Sequence, residues 1–145
     1  MKADEQLELL RSIVALRIEG RKVLESVRRE LAVVEGALAT VVGPLVRKTV
    51  AARLLSCSVQ AIDRHVAAGR IEVEPITEGS SRTAIPRERL VAIAFEKQLA
   101  ERSLGEAIEA ANERRWNTME IGNADRLMKF TSSIEVAFYE QRRTA

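Results

Sequence analysis

Three breaks, Ser56-Cys57-Ser58, Gly69 and Pro86, cut the middle of the chain into pieces too short to fold unaided, and their order constrains the architecture more than anything else in the sequence. A helix shorter than about a dozen residues is marginal in water, so each piece must be held by its neighbours. Val50 to Leu55 reads as a short helix capped by Thr49, with Ala51, Leu54 and Leu55 inward. After the turn, Ser58 is positioned to accept a backbone N–H at the head of a second helix, Val59 to about Ala68. This helix turns Val59, Ile62 and Val66 inward at spacings of three and four, which leaves Gln60, Ala61, Asp63, Arg64 and Ala67 outside. Gly69 ends it at the point where positive φ is wanted. Ile71 to Glu74 alternates like a strand, Glu78 to Ser81 reads as a loop, and Arg82 to Ile85 as a short returning strand. Pro86 then opens a helix to about Arg102, with Leu90, Val91, Ile93, Ala94 and Leu99 facing in.

The flanks read as helical. From Asp4 to Val42 apolar residues step mostly by three or four, from Leu7 and Leu10 through Leu24 and Leu31 to Val41, interrupted only by Arg17, Gly20 and Arg21. Read as one long helix, stopped by Gly43-Pro44, it presents a stripe wider than a lone helix can cover. Either the rest of this chain or a second copy must cover it, and a second copy is the expected cover. In the C-terminal third, Ser103-Leu104-Gly105-Glu106 reads as a capping box for a helix reaching about Trp116. Asn123 is placed to cap a last helix containing Phe130, Ile134 and Phe138.

Charge enters through its distribution. The chain carries a net +2, but residues 47–90 hold eight basic side chains against five acidic, whereas residues 1–46 balance and residues 91–145 are slightly acidic. The positive excess lies where a phosphate-facing surface needs it. Enzyme chemistry finds little footing: one cysteine, Cys57, and one histidine, His65, make neither a zinc site nor a Cys–His pair, and no glycine-rich phosphate loop occurs. We therefore expect no catalysis, no cofactor and no metal. The lone cysteine fits a reducing compartment, and no apolar run of 18 residues predicts a membrane span. The expected place is the cytoplasm, associated with the nucleoid.

Short helix, three-residue turn, second helix, glycine, hairpin, proline-led helix is the order that a major-groove reader uses, the first helix bracing the second. Ala51-Ala52, Leu55, Ser58, Val59, Ile62, Arg64, Gly69, Ile71, Arg82, Ile85, Pro86 and Leu90 fall in the pattern of the excisionase-type, MerR-like winged helix-turn-helix family, which residues 46–91 resemble. Ser56 stands where that family usually has the turn glycine, Asp63 where it often has an aromatic, and the wing is longer and more acidic. The resemblance implies binding of double-stranded DNA. Ser58, Gln60, Ala61, Asp63 and Arg64 would meet the groove, with Arg70, Ser80, Ser81 and Arg82 against phosphates.

The expectation is thus a mainly α chain in three parts: a long dimerising helix over residues 1–43, a winged helix-turn-helix over 46–91 and a helical region over 92–145. Its expected role is that of a homodimeric transcriptional regulator binding specific DNA sequences. An excisionase-like architectural factor and a protein-interaction module, such as the antitoxin partner of a toxin, remain alternatives. A protein partner would sit on the C-terminal helices.

Overall fold

The structure, a computed structural model, describes residues 1–23 and 25–115. The chain divides into two compact units, Met1–Ala111 and Asn112–Ala145. Of the second, residues 112–115 are described, and they are helical. Leu24, Trp116 and the helix expected after Asn123 lie outside the described residues.

The first unit is mainly α with a small antiparallel sheet. Its elements are α1 (Ala3–Gly20), α2 (Glu25–Val42), β1 (Leu45–Arg47), α3 (Lys48–Leu55), α4 (Val59–Ala67), β2 (Glu74–Pro75), β3 (Thr83–Pro86) and α5 (Arg87–Leu99). Helix α6 follows over residues 104–115, of which 104–111 belong to this unit. The helix opens on half of the expected box: the Glu106 N–H donates to Ser103 Oγ at 3.3 Å, but the Glu106 carboxylate accepts from that hydroxyl at 2.9 Å where the full box has it accept the Ser103 backbone N–H.

One expectation needs correcting. The N-terminal stripe is not one helix but a helical hairpin. The chain leaves helical geometry after Gly20, and α2 runs back antiparallel along α1. Gln6 Nε2 near the start of α1 donates to the Val42 carbonyl at the end of α2 (3.3 Å), and Arg17 pairs with Glu35 at 2.5 Å. Arg28 donates to the last carbonyl of α1, that of Gly20, at 3.0 Å. Glycine is among the weakest helix formers, and its position beside Arg17 and Arg21 marks where the stripe can break at least cost. Folding back gives Leu7, Leu10, Ile13 and Val14 a core within the chain, where each is at most 1% exposed. The α1 stripe is therefore not a surface for a second copy.

The core gathers that stripe with Leu55 and Ile62, with Ile85 from the sheet, with Leu90 and Ile93 of α5, and with Ile108 of α6. The sheet order is β1-β3-β2 with both pairings antiparallel. Residues Leu45, Val46 and Arg47 face Pro86, Ile85 and Ala84, while Glu74 and Pro75 face Ala84 and Thr83. Strand β1 has no counterpart in the sequence reading. The hairpin is also shorter and later than expected, because Ile71 is buried beneath the turn after α4 instead of alternating in a strand. Pro86 precedes the first residue of α5 with extended backbone, which lets it close β3, and α5 stops at Leu99 before Glu101 takes φ 50°.

The helix-turn-helix follows the expected pattern closely. Ser56 ends α3 in the left-handed region (φ 55°, ψ 46°), the Cys57 N–H donates back to the Ala52 carbonyl at 2.9 Å, and the Lys97 ammonium donates to the Leu55 carbonyl. A left-handed conformation is strained for any residue with a Cβ. Ser56→Gly should therefore raise stability by about 0.5–1 kcal/mol in urea denaturation. A glycine variant no more stable than the parent would show that Ser56 carries no strain.

Candidate nucleic-acid interface

Helix α4 is amphipathic for a plain reason: Ile62 is fully buried, Val59 and Val66 pack half-buried beside it, and the intervening positions have nowhere to go but out. Its N-terminus is set by Ser58, whose Oγ accepts the Ala61 N–H at 3.1 Å. Gln60, Asp63 and Arg64 are exposed on one face, with Ala61 half-buried among them. Ser58 is thus a cap first, and its accepting lone pair is already committed. Gly69 takes φ 74°, as expected of the residue that ends α4, and the Arg70 N–H donates back to the His65 carbonyl at 2.9 Å. Burial, and the positive charges of Arg70 and Arg64 beside it, hold the His65 imidazole below its usual pKa.

Loop 76–82 joins β2 to β3 as the tip of the wing. The Ile76 N–H donates to the Arg82 carbonyl at 3.0 Å, the Ser80 N–H to the Thr77 carbonyl at 3.0 Å, and Gly79 takes φ 78° between them. Ser80 Oγ accepts the Arg82 N–H at 3.1 Å, so this hydroxyl shapes the tip as well as lining it. Ser81 and Arg82 are exposed.

Between the wing and the start of α3 lies a cleft of about 670 Å³. Arg47 and Lys48 line one wall, Arg82 and the hydroxyls between Thr77 and Thr83 the other. Strand β1 builds it, since pairing Arg47 with Ala84 brings the head of α3 alongside the wing. Among the described residues no carboxylate forms an ion pair with Arg47, Arg64 or Arg82. Lys48 does have a partner: its Nζ lies 2.8 Å from Asp63 Oδ1, across from α3 to α4.

Of the residues singled out by sequence, Ser80, Ser81 and Arg82 come together at this cleft, and Gln60, Asp63 and Arg64 share the outer face of α4. Arg70 is exposed beyond the end of α4. Arg47, Lys48 and Thr49 were missed as site residues. Thr49 is the expected cap of α3, but that helix starts two residues earlier than expected, at Lys48, and has no side-chain cap, which leaves Thr49 inside its first turn and exposed on the cleft wall. The charge count over residues 47–90 held the only sequence signal for Arg47 and Lys48.

Among the described residues no cluster of His, Cys, Asp and Glu could hold a metal, and no helix is long and apolar enough to cross a membrane. No family model matches the chain, and no curated protein or solved structure matches it either.

Proposed function

We propose that this chain binds specific sequences of double-stranded DNA, as a member of the excisionase-type, MerR-like winged helix-turn-helix family and as a homodimeric transcriptional regulator. The observation that carries the reading is the pairing of two surfaces. An exposed polar face on the capped helix α4 adjoins a cleft with Arg47, Lys48, Arg82 and a row of hydroxyls. Arg and Gln are side chains suited to base edges, whereas cations and hydroxyls beside a wing suit phosphates whatever the sequence. The work assigned to the site is recognition, with no catalytic step and no cofactor.

The second copy finds its support on α2 instead of α1. Val27, Val34 and Val41 recur at intervals of seven on the outside of α2 and are 41%, 49% and 57% exposed. A β-branched residue every seventh position is the pattern of a helix–helix seam. Two modules joined there would read two half-sites, from which specific affinity normally comes.

Footprinting on the DNA around the protein's own gene tests the reading. The parent should protect two half-sites, and Gln60→Ala or Arg64→Ala should each weaken specific binding by about 1–3 kcal/mol and relax the sequence preference. Protection that is identical in both variants would remove α4 as the reader. No protection at all would favour a protein partner, for which the exposed valines of α2 offer the apolar surface.

A further inference from the structure

Asp63 is the only carboxylate on α4, and it stands on the face that the DNA reading assigns to the groove. A negative charge there opposes phosphates on every sequence alike. It also does something more specific: it holds Lys48 at 2.8 Å, although Lys48 is one of the cations that line the cleft. The two side chains are 25% and 52% exposed, and a single N–O contact joins them. Partly solvated pairs of this kind are held weakly, so a phosphate arriving at the cleft competes on even terms.

We propose that Lys48 is a shared cation, held by Asp63 in the free protein and handed to a backbone phosphate in the cleft when DNA binds. The inference rests on the DNA-binding reading and adds a regulating role for Asp63. The carboxylate acts as an internal counterion. When Lys48 leaves it, Asp63 must recruit a cation from solution, which cancels the counterion that the phosphate releases. Asp63 thereby removes one cation's worth of sequence-independent grip. Discrimination then falls to side chains that meet base edges, Gln60 and Arg64. Specificity gained by penalising the wrong partner is a general device, and here it would be built from one ion pair.

The test is a set of binding isotherms for a duplex of random sequence between 50 and 200 mM NaCl, using the full chain. Variants are Asp63→Asn, Asp63→Ser, Lys48→Gln and the double variant Asp63→Asn/Lys48→Gln. Two neutral replacements at position 63 guard against a folding defect in one of them, checked by thermal melting. Either one should tighten random-sequence binding by about eightfold near 0.1 M salt and steepen the log–log salt slope by about 0.9. The gain should vanish when Lys48 is Gln. Equal tightening with and without Lys48 would overturn the proposal, because Asp63 would then act on DNA directly. An unchanged slope in both position-63 variants would overturn it as well, while leaving the DNA reading intact. A parent protein with no salt-dependent affinity for DNA would overturn the DNA reading and this proposal together.

Discussion

Replacing Leu10 with Ala should remove about 3–4 kcal/mol of folding stability, a large share of the roughly 5–15 kcal/mol that a domain of this size possesses. Leu10 is 0% exposed and belongs to the cluster that joins α1 to the helix-turn-helix and to α5. Truncation there loses the transfer free energy of three carbons and leaves a cavity that rigid helices on several sides close poorly. The midpoint of thermal unfolding should fall by about 10–15 °C. Because the cavity is intramolecular, the fall should be the same at every protein concentration. A seam between two copies behaves otherwise, with a loss that deepens on dilution. A Leu10→Ala protein melting within about 2 °C of the parent would mean that α1 does not complete the core of the module.

Why the hairpin escaped the sequence reading and the helix-turn-helix did not is a matter of range. Ser58, Gly69 and the 59-62-66 spacing act within one or two turns of chain, so local chemistry decides them: a hydroxyl beside orphan N–H groups, a residue tolerant of φ 74°, an apolar row. The α1–α2 break is different. Arg17, Gly20 and Arg21 mark a weak point, but a weak point permits a bend without requiring one. The bend is settled by what waits for the stripe, the buried faces of α3 and α5, far along the chain. Strand β1 poses the same difficulty in sharper form. Three residues, Leu45 to Arg47, carry no periodicity worth reading, and their partners are Ala84 to Pro86. The cleft depends on that pairing, so Arg47 and Lys48 could be counted as charges but not placed in a site. Lys48 and Asp63, 15 positions apart, were likewise legible as types and not as a pair.

Arg87 shows how one side chain can hold such a non-local arrangement, and its removal should have the second largest effect. Its Nη1 donates to the carbonyls of Ala39 (2.7 Å) and Gly43 (2.8 Å), and its backbone N–H donates to the Pro44 carbonyl at 2.8 Å. The guanidinium therefore places a cation at the end of α2, where the helix dipole favours one; it is a second donor to the Ala39 carbonyl, which already takes the Gly43 N–H at 3.0 Å, and it supplies a donor to the Gly43 carbonyl beyond. With the side chain only 19% exposed, both bonds are largely shielded from water. Hydrogen bonds to a charged group contribute about 1.5–3 kcal/mol, so Arg87→Ala should cost about 2–4 kcal/mol in urea denaturation. Arg87→Lys should recover only part of this, since an ammonium lacks the planar fork that reaches two carbonyls and Glu88 together. The loss should also show in pH dependence. The hydrogen bond from Arg87, with Arg17 nearby, holds the Glu88 carboxyl below its ordinary value against the opposing effect of burial. A depressed carboxylate stabilises the fold above its unfolded-state pKa and loses that contribution as pH falls through the folded value. The Ala variant should therefore lose less stability than the parent on acidification. Function should follow stability: Arg87 anchors the segment that leads into β1, and β1 sets the cleft wall that carries Arg47 and Lys48. An Ala variant that unfolds at the parent's urea midpoint would show that the α2 terminus is held by something other than Arg87.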